Sequence, residues 1–385
     1  MNAFTISAPG KITLCGEHAE MYGKKVVAAS LNLRTTLTFY EICTDNIEIE
    51  FPRVDISLNV PLKKIQDFTS SEDYNHLVKD HVMFLKHVQY FITINGWWRT
   101  YSQNFTLQVF FYLLMYIAHH EKFVIRPFRV HVTTDLIMNT SLGSSTSFAV
   151  CLAACFVRWA RLQRGDHTEF TQLELKNISK FATFSEKVIQ NFKLNCDPDV
   201  CVHGHAVSFR QREHLGSDIK ILDAQEMDVL LVNSHIFQNK FDQIRNMAVT
   251  KRSRSNDVGN ILNIIDKISQ NVALALLEIK EGHKHNNLLL LGILYGELKK
   301  NIELNQEMLC KLNLSHTNFN YICSIAKKHG FAGKMTGIGA AYVFILLPPN
   351  IPYQIISNLK EDLSNEGFEY KMTKIFCSGL RIEQI

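Results

Sequence analysis

No two of the nine cysteines stand as C-x-x-C, and nine is an odd count. A zinc cluster of ordinary spacing and a secreted disulfide framework are both poorly supported, which leaves reduced thiols and a cytosolic setting. The histidines are equally sparse in pattern. His203-Gly204-His205, His119-His120 and His283 with His285 have no third ligand at zinc spacing. No apolar run is long enough to cross a bilayer: the longest, from about Leu107 to Ala118, is broken by Gln108 and reads as a buried helix. The opening residues, Met1 to Lys11, carry neither a basic nor an apolar segment, so they do not read as a signal peptide. Charge of one sign is lacking too. The net charge is +4, and the densest basic run, Lys251-Arg252-Ser253-Arg254, reads as a solvated helix face. Neither nucleic acid nor membrane is an expected partner. There is no internal repeat and no low-complexity tract.

What is present suits a folded protein of some size. The chain has 385 residues, 46% hydrophobic and 20% charged, enough for a substantial core and for two domains. Phe4, Ile6 and Ala8 alternate with polar residues, which predicts a first strand closed by Pro9-Gly10. Leu31 to Phe39, Ile47 to Phe51 and Phe128 to Thr134 predict further strands. Helices are predicted near Asn75 to Phe91, over Phe105 to His120, after Ser147 as far as Arg164-Gly165, and over Gln172 to Phe192. Asn195-Cys196-Asp197-Pro198-Asp199 breaks the pattern, and Val207 to Arg210 resumes as a strand. Met227 to Asn233 reads as a buried strand, and Gln238 to Lys328 as three long helical segments. That shift in composition sets an expected boundary near residue 226, giving domains 1–226 and 227–385. Lys334 to Tyr342 reads as a Gly-containing turn, followed by the strand Val343 to Leu347, a helix from about Tyr353 to Glu366 and a last strand near Lys371 to Cys377.

Thr140-Ser141-Leu142-Gly143-Ser144-Ser145-Thr146-Ser147 runs straight into an apolar helical segment. The first turn of a helix has unpaired N–H groups and the positive end of the dipole, so such a loop suits phosphate. Transfer of phosphate to an alcohol also needs hard oxygen ligands for magnesium, a cation and a carboxylate base. Spacing alone offers Ser145 and Glu186 for the metal, Lys11 for the cation, and Asp197 or Asp199 for the base.

Ala8-Pro9-Gly10-Lys11-Ile12-Thr13-Leu14-Cys15-Gly16-Glu17-His18-Ala19 resembles the first motif of the mevalonate kinases, in the GHMP kinase superfamily. Gly23-Lys24 and Ser30-Leu31-Asn32-Leu33-Arg34-Thr35 continue the likeness. Leu142-Gly143-Ser144-Ser145 resembles the end of the second motif, and Lys334-Met335-Thr336-Gly337-Ile338-Gly339 the third. The resemblance implies an α+β, two-domain fold: an N-terminal ribosomal-protein-S5-domain-2-like α/β domain with a left-handed crossover, and a helix-rich ferredoxin-like C-terminal domain. It implies phosphorylation of the primary hydroxyl of mevalonate with ATP and Mg2+, by a cytoplasmic homodimer. Residue by residue, it makes Asp197 the base and Lys11 the polarising cation, with Ser145 and Glu186 on magnesium. Lys11, Thr134, Asn139, Thr140, Ser141, Leu142, Gly143, Ser144 and Ser145 would hold the nucleotide, and Glu17, His18 and Lys240 would lie near the substrate.

This chain departs from the family at several points. Asn139 and Ser141 stand where the second motif has glycines, Ile137 and Met138 where it has prolines, and Ala340 and Ala341 where the third has a glycine run. Side chains there crowd the approach to phosphate. Asn195-Cys196-Asp197-Pro198 replaces Gly-Val-Asp-Asn, and Lys240 replaces a threonine. The altered glycines motivate a second reading, a non-catalytic ligand sensor; retention of Lys11, Ser145, Glu186 and Asp197 speaks against it. A kinase for a mevalonate analogue is a third. Galactokinases follow Gly-Glu-His with Thr-Asp-Tyr, whereas Ala19-Glu20-Met21 follows here.

Overall fold

The computed structural model describes residues 1–71, 73–138, 140–190, 196–212 and 216–383. The chain opens on β1 (Ala3–Cys15) and, after a 3-10 turn at Ala19–Tyr22, returns as β2 (Val26–Glu41). β3 (Asn46–Phe51) and β4 (Ile56–Pro61) form a hairpin. α1 (Leu62–Thr69), α2 (Tyr74–Leu77), α3 (His81–Ile94) and α4 (Tyr101–Glu121) precede β5 (Phe128–Thr134). Then come α5 (Ser144–Leu162), α6 (Gln172–Gln190), α7 (Asp197–His203), β6 (Ala206–Arg212) and β7 (Gly216–Leu222). After residue 226 the chain runs β8 (Met227–Asn233), α8 (Lys240–Ser253), α9 (Ser255–Lys284), α10 (Leu288–Lys311) and α11 (Thr317–Lys328). β9 (Ala332–Met335), β10 (Tyr342–Leu347), α12 (Tyr353–Asn365), β11 (Tyr370–Ile375) and β12 (Arg381–Glu383) complete it.

The strands join one 12-stranded sheet along β4-β3-β5-β2-β11-β8-β10-β9, with β1, β12, β6 and β7 branching from β2. Of the pairings among described residues, only β3 with β5 is parallel. β2 is the hub. Its first residues pair with β6, its last with β5, and its whole length with β1. Its alternating Leu31, Leu33, Leu37 and Phe39 are buried, as a strand covered by helices requires. One apolar core packs β1 to β5 under α3 to α6; a second packs β8 to β11 under α9 to α11. α5 has the length and composition to span a bilayer, yet 72% of that stretch is buried inside the protein. It is the central core helix.

The structure corrects three local expectations. Pro9-Gly10 does not end the first strand. β1 runs through it with a slip in register between Pro9 and Gly10, the bulge expected where proline has no N–H for the ladder. The expected break at Asp197-Pro198-Asp199 is the first turn of α7, where the missing proline N–H has no partner to lose. The helical stretch after Gln238 holds four helices, α8 to α11, rather than three.

Candidate functional site

β1, the 140–146 loop, α6, α7 and the start of α8 converge on a cavity of about 540 Å³. α5 begins at its wall. Gly143 is its N-cap at φ 82°, and no side chain caps the first turn. A Cβ on Gly143 would stand 2.8 Å from Lys11 Cγ, so glycine is required for the loop to lie against β1. The Lys11 backbone N–H donates to Leu142 O at 2.9 Å, which seals the same contact. Thr140, Ser141, Gly143, Ser144 and Ser145 line the cavity beneath the open N–H groups of α5. Thr134 lines it too, with its hydroxyl 2.9 Å from that of Thr35. Leu142 is buried outside the cavity lining. Asn139 lies outside the described residues.

Opposite the loop, Lys11 Nζ is 3.1 Å from Asp197 Oδ2. Both side chains are largely buried, so this is a fixed pair rather than a surface contact. Burial opposes the Lys11 charge, but Asp197 more than offsets it and holds the ammonium above its ordinary value. α7 is anchored for this purpose by its own sequence. Cys196 and Val200 pack with Val26, Ala28, Val207 and Phe209 in a small separate core against β2 and β6, which leaves Asp197 facing the cavity. Asp199 points elsewhere, accepting from Ser179 Oγ at 2.6 Å.

Ser145 and Glu186 line the same cavity. Glu186 accepts from the Thr146 hydroxyl. Burial first, then the nearby Asp197, pushes its carboxyl up to about 7 against that hydrogen bond. A hydroxyl and a carboxylate are hard donors of the kind that share magnesium with nucleotide phosphates, so the donor set fits. Among the described residues no cluster of His, Cys, Asp and Glu forms a cage that would hold a metal unaided. Lys240, first residue of α8, also lines the cavity.

Two residues of the first motif take less direct places. Glu17 reaches the cavity wall but is buried against Lys334 of β9, whose ammonium it pairs with, and it also accepts from the Gly337 N–H at 3.4 Å. His18 is fully buried, at φ 59°, with Nε2 3.2 Å from Gln243 Oε1, and is not among the residues lining the cavity. Burial lowers its imidazole from 6.5 to about 4. The unfolded chain therefore takes a proton first as pH falls, and stability present above 6.5 is lost toward 4. His18→Asn, which tolerates this backbone, is expected to abolish about 3 kcal/mol of acid-linked destabilisation. Urea unfolding of both proteins at pH 7 and pH 4.5 reads the difference; equal losses would be the wrong result.

Sequence reasoning did not anticipate what Ser141 does. Standing in place of a glycine, it takes φ 61°, at a cost of about 1–2 kcal/mol for a residue with a Cβ. Its hydroxyl is 2.6 Å from Ile338 O and 3.1 Å from Gly339 O, so it ties the second motif to the third. Ser141→Ala keeps the strained backbone and loses the tie. It is expected to weaken nucleotide binding about five- to tenfold, read as the Kd of a non-hydrolysable ATP analogue. An unchanged Kd would leave the tie without a role in nucleotide affinity. Glu20 is a second omission. It lines the cavity from the 3-10 turn, and only its place beside the first motif signals it in the sequence.

No family model matches the chain. It is 26% identical to the mevalonate kinase of Homo sapiens over 388 residues, covering 98% of this chain and 94% of that one. In structure it is similar to the Methanococcus jannaschii mevalonate kinase, with a TM-score of 0.67 at 17% identity and coverage of 100% and 99%. It is also similar to the L. major mevalonate kinase solved in complex with R-mevalonate, with a TM-score of 0.64 at 13% identity and coverage of 98% and 97%. With its motifs in order, a likeness that runs end to end and a shared α+β fold, the chain resembles the mevalonate kinases of the GHMP kinase superfamily.

Proposed function

We propose that this chain transfers the terminal phosphoryl group of ATP to the primary 5-hydroxyl of mevalonate, giving 5-phosphomevalonate and ADP. The full-length likeness to mevalonate kinases supports it. The observation that carries it is the Lys11–Asp197 pair, 3.1 Å apart, in one cavity with the hydroxyl-rich loop. The two residues stand 186 positions apart in the chain, and a buried pair of this kind is costly unless used.

In this reading the open N–H groups of α5 and the hydroxyls of Ser144 and Ser145 hold the nucleotide phosphates. Phe51, Tyr101, Phe105 and Phe148 give the same cavity an apolar wall for the base. Asp197 accepts the acceptor's proton as its 5-oxygen bonds to the terminal phosphorus and the bond to the ADP oxygen breaks. Lys11 holds the hydroxyl and phosphoryl oxygens in line and offsets their charge. Ser145 and Glu186 would hold Mg2+, which when bound neutralises the phosphate oxygens. Thr134, Thr140, Ser141 and Gly143 shape the nucleotide side, and Lys240 the acceptor side. Glu17 and His18 act behind that surface, through Lys334 and Gln243. The same reading has a homodimer in the cytoplasm, consistent with nine free thiols, and divides the chain near residue 226.

A coupled assay for ADP release with magnesium ATP tests it, on a panel of mevalonate, phosphomevalonate and galactose. Turnover is expected with mevalonate and not with the other two. Mevalonate binding without ADP release would favour the sensor instead.

A further inference from the structure

The acceptor end of the cavity holds more charge than phosphoryl transfer needs. Lys11 and Asp197 form one pair. Glu20 and Lys240 line the same cavity, from the turn after β1 and from the start of α8, within electrostatic reach of Lys11 and Asp197. Lys240 is fixed in position by its backbone. A Cβ on Gly339 would meet Lys240 N at 3.1 Å and Lys240 Cα at 3.2 Å, so the third motif packs directly on it. Asn239 caps α8 by accepting from Phe241 N at 2.9 Å, which sets the direction in which the helix presents Lys240. The Glu20 backbone is held because its turn is closed on both sides: the Ala19 N–H donates to Glu17 O at 2.7 Å, and the Gly23 N–H to Glu20 O at 3.1 Å.

The charge balance decides what Glu20 does. A carboxylate already stands there as Asp197, and a nucleotide brings several more negative charges. A further ionised acid would repel both. Withdrawal from water and then the Asp197 carboxylate push Glu20 up to about 8, against the pull of Lys11 and Lys240; Glu17 adds to the rise. At neutral pH Glu20 therefore carries a proton and offers an O–H donor.

On the reading of the function given above, we propose that Glu20 is a specificity-determining residue for the acceptor: its carboxylic O–H and the Lys240 ammonium together take the acceptor's carboxylate at the end remote from the hydroxyl that receives phosphate. The site then selects a short hydroxy acid, and an acceptor without the anionic group forfeits both contacts. Each hydrogen bond to a charged group is worth about 1.5–3 kcal/mol, or about ten- to a hundredfold in binding.

The test compares mevalonate with its uncharged carboxamide in steady-state assays of wild type, Glu20→Leu, Glu20→Gln and Lys240→Met. Wild type is expected to prefer the acid strongly. In Glu20→Leu the mevalonate KM should rise about tenfold, the ATP KM should move by less than about threefold, and the preference for the acid should shrink. Glu20→Gln, which keeps an N–H donor, should restore most of the preference, and Lys240→Met should lose it. A Glu20→Leu enzyme that loses both acceptors equally, or keeps the wild-type preference, overturns the proposal. Wild type that turns over neither acceptor sinks the kinase reading itself and this proposal with it.

Discussion

Asp197→Asn is expected to lower kcat about a thousandfold while the Kd for an ATP analogue changes by less than about threefold. The substitution keeps the shape of the side chain beside Lys11 but removes the carboxylate that stands 3.1 Å from that ammonium. In the proposed reading the phosphates lie against the hydroxyl-rich loop, which lines the same cavity, so binding should survive. The matched control is Asp199→Asn. Asp199 accepts from Ser179 at 2.6 Å, an asparagine oxygen can accept in the same way, and turnover should stay within about threefold. Single-turnover kinetics and an equilibrium titration separate the two effects. Inactivation by Asp199→Asn with Asp197→Asn still active would reverse the assignment.

Lys334→Met is expected to cost about 3–5 kcal/mol of stability, the penalty for stranding a buried charge. Lys334 is fully buried, its ammonium pairs with Glu17, and it also donates to Met335 O at 2.6 Å. Around this pair the first and third motifs are joined by Thr13 N donating to Thr336 Oγ1 at 2.7 Å and by Thr336 Oγ1 donating to Thr13 O at 3.2 Å. The double variant Lys334→Met/Glu17→Gln should recover part of the loss, because the orphaned carboxylate is gone. Urea unfolding followed by fluorescence reads all the variants. A loss under about 1 kcal/mol in the single variant would mean that the pair contributes little.

The outlines of the larger elements were legible because alternation and helical spacing are local properties. β2, β5, α4 and α6 each announce themselves that way, and the run of small hydroxylated residues marks the start of α5. What was not legible depends on the other half of the chain. Nothing near Pro9 says that β2 will hold β1 extended through a bulge. Nothing near Asp197 says that Cys196 and Val200 have a pocket of their own between β2 and β6, which makes a helix of an expected break. Lys11 and Asp197 were paired through the family's motif and not through spacing, which left Asp199 open. Glu17 and His18 lie in the most specific motif, yet one is turned to Lys334 and the other to Gln243. Arg34, from the Ser30–Thr35 stretch, proves to be a clamp: buried, it donates to Ser7 O at 2.9 Å and to Gly379 O at 2.7 Å. A motif marks residues that a fold keeps close to the chemistry, without saying which of them touch it.

That clamp bears on how the polypeptide matures. Ser7 pairs with Arg381 across the β1–β12 ladder, and Arg34 waits for carbonyls at 378 and 379. β1 therefore gains β12 as a neighbour only once residues 381–383 have been synthesised. A nascent chain that has left the ribosome as far as residue 226 has β1 without β12 and Arg34 with its Ser7 contacts alone. Removing residues 379–383 should loosen β1 and take the Gly379 carbonyl from Arg34.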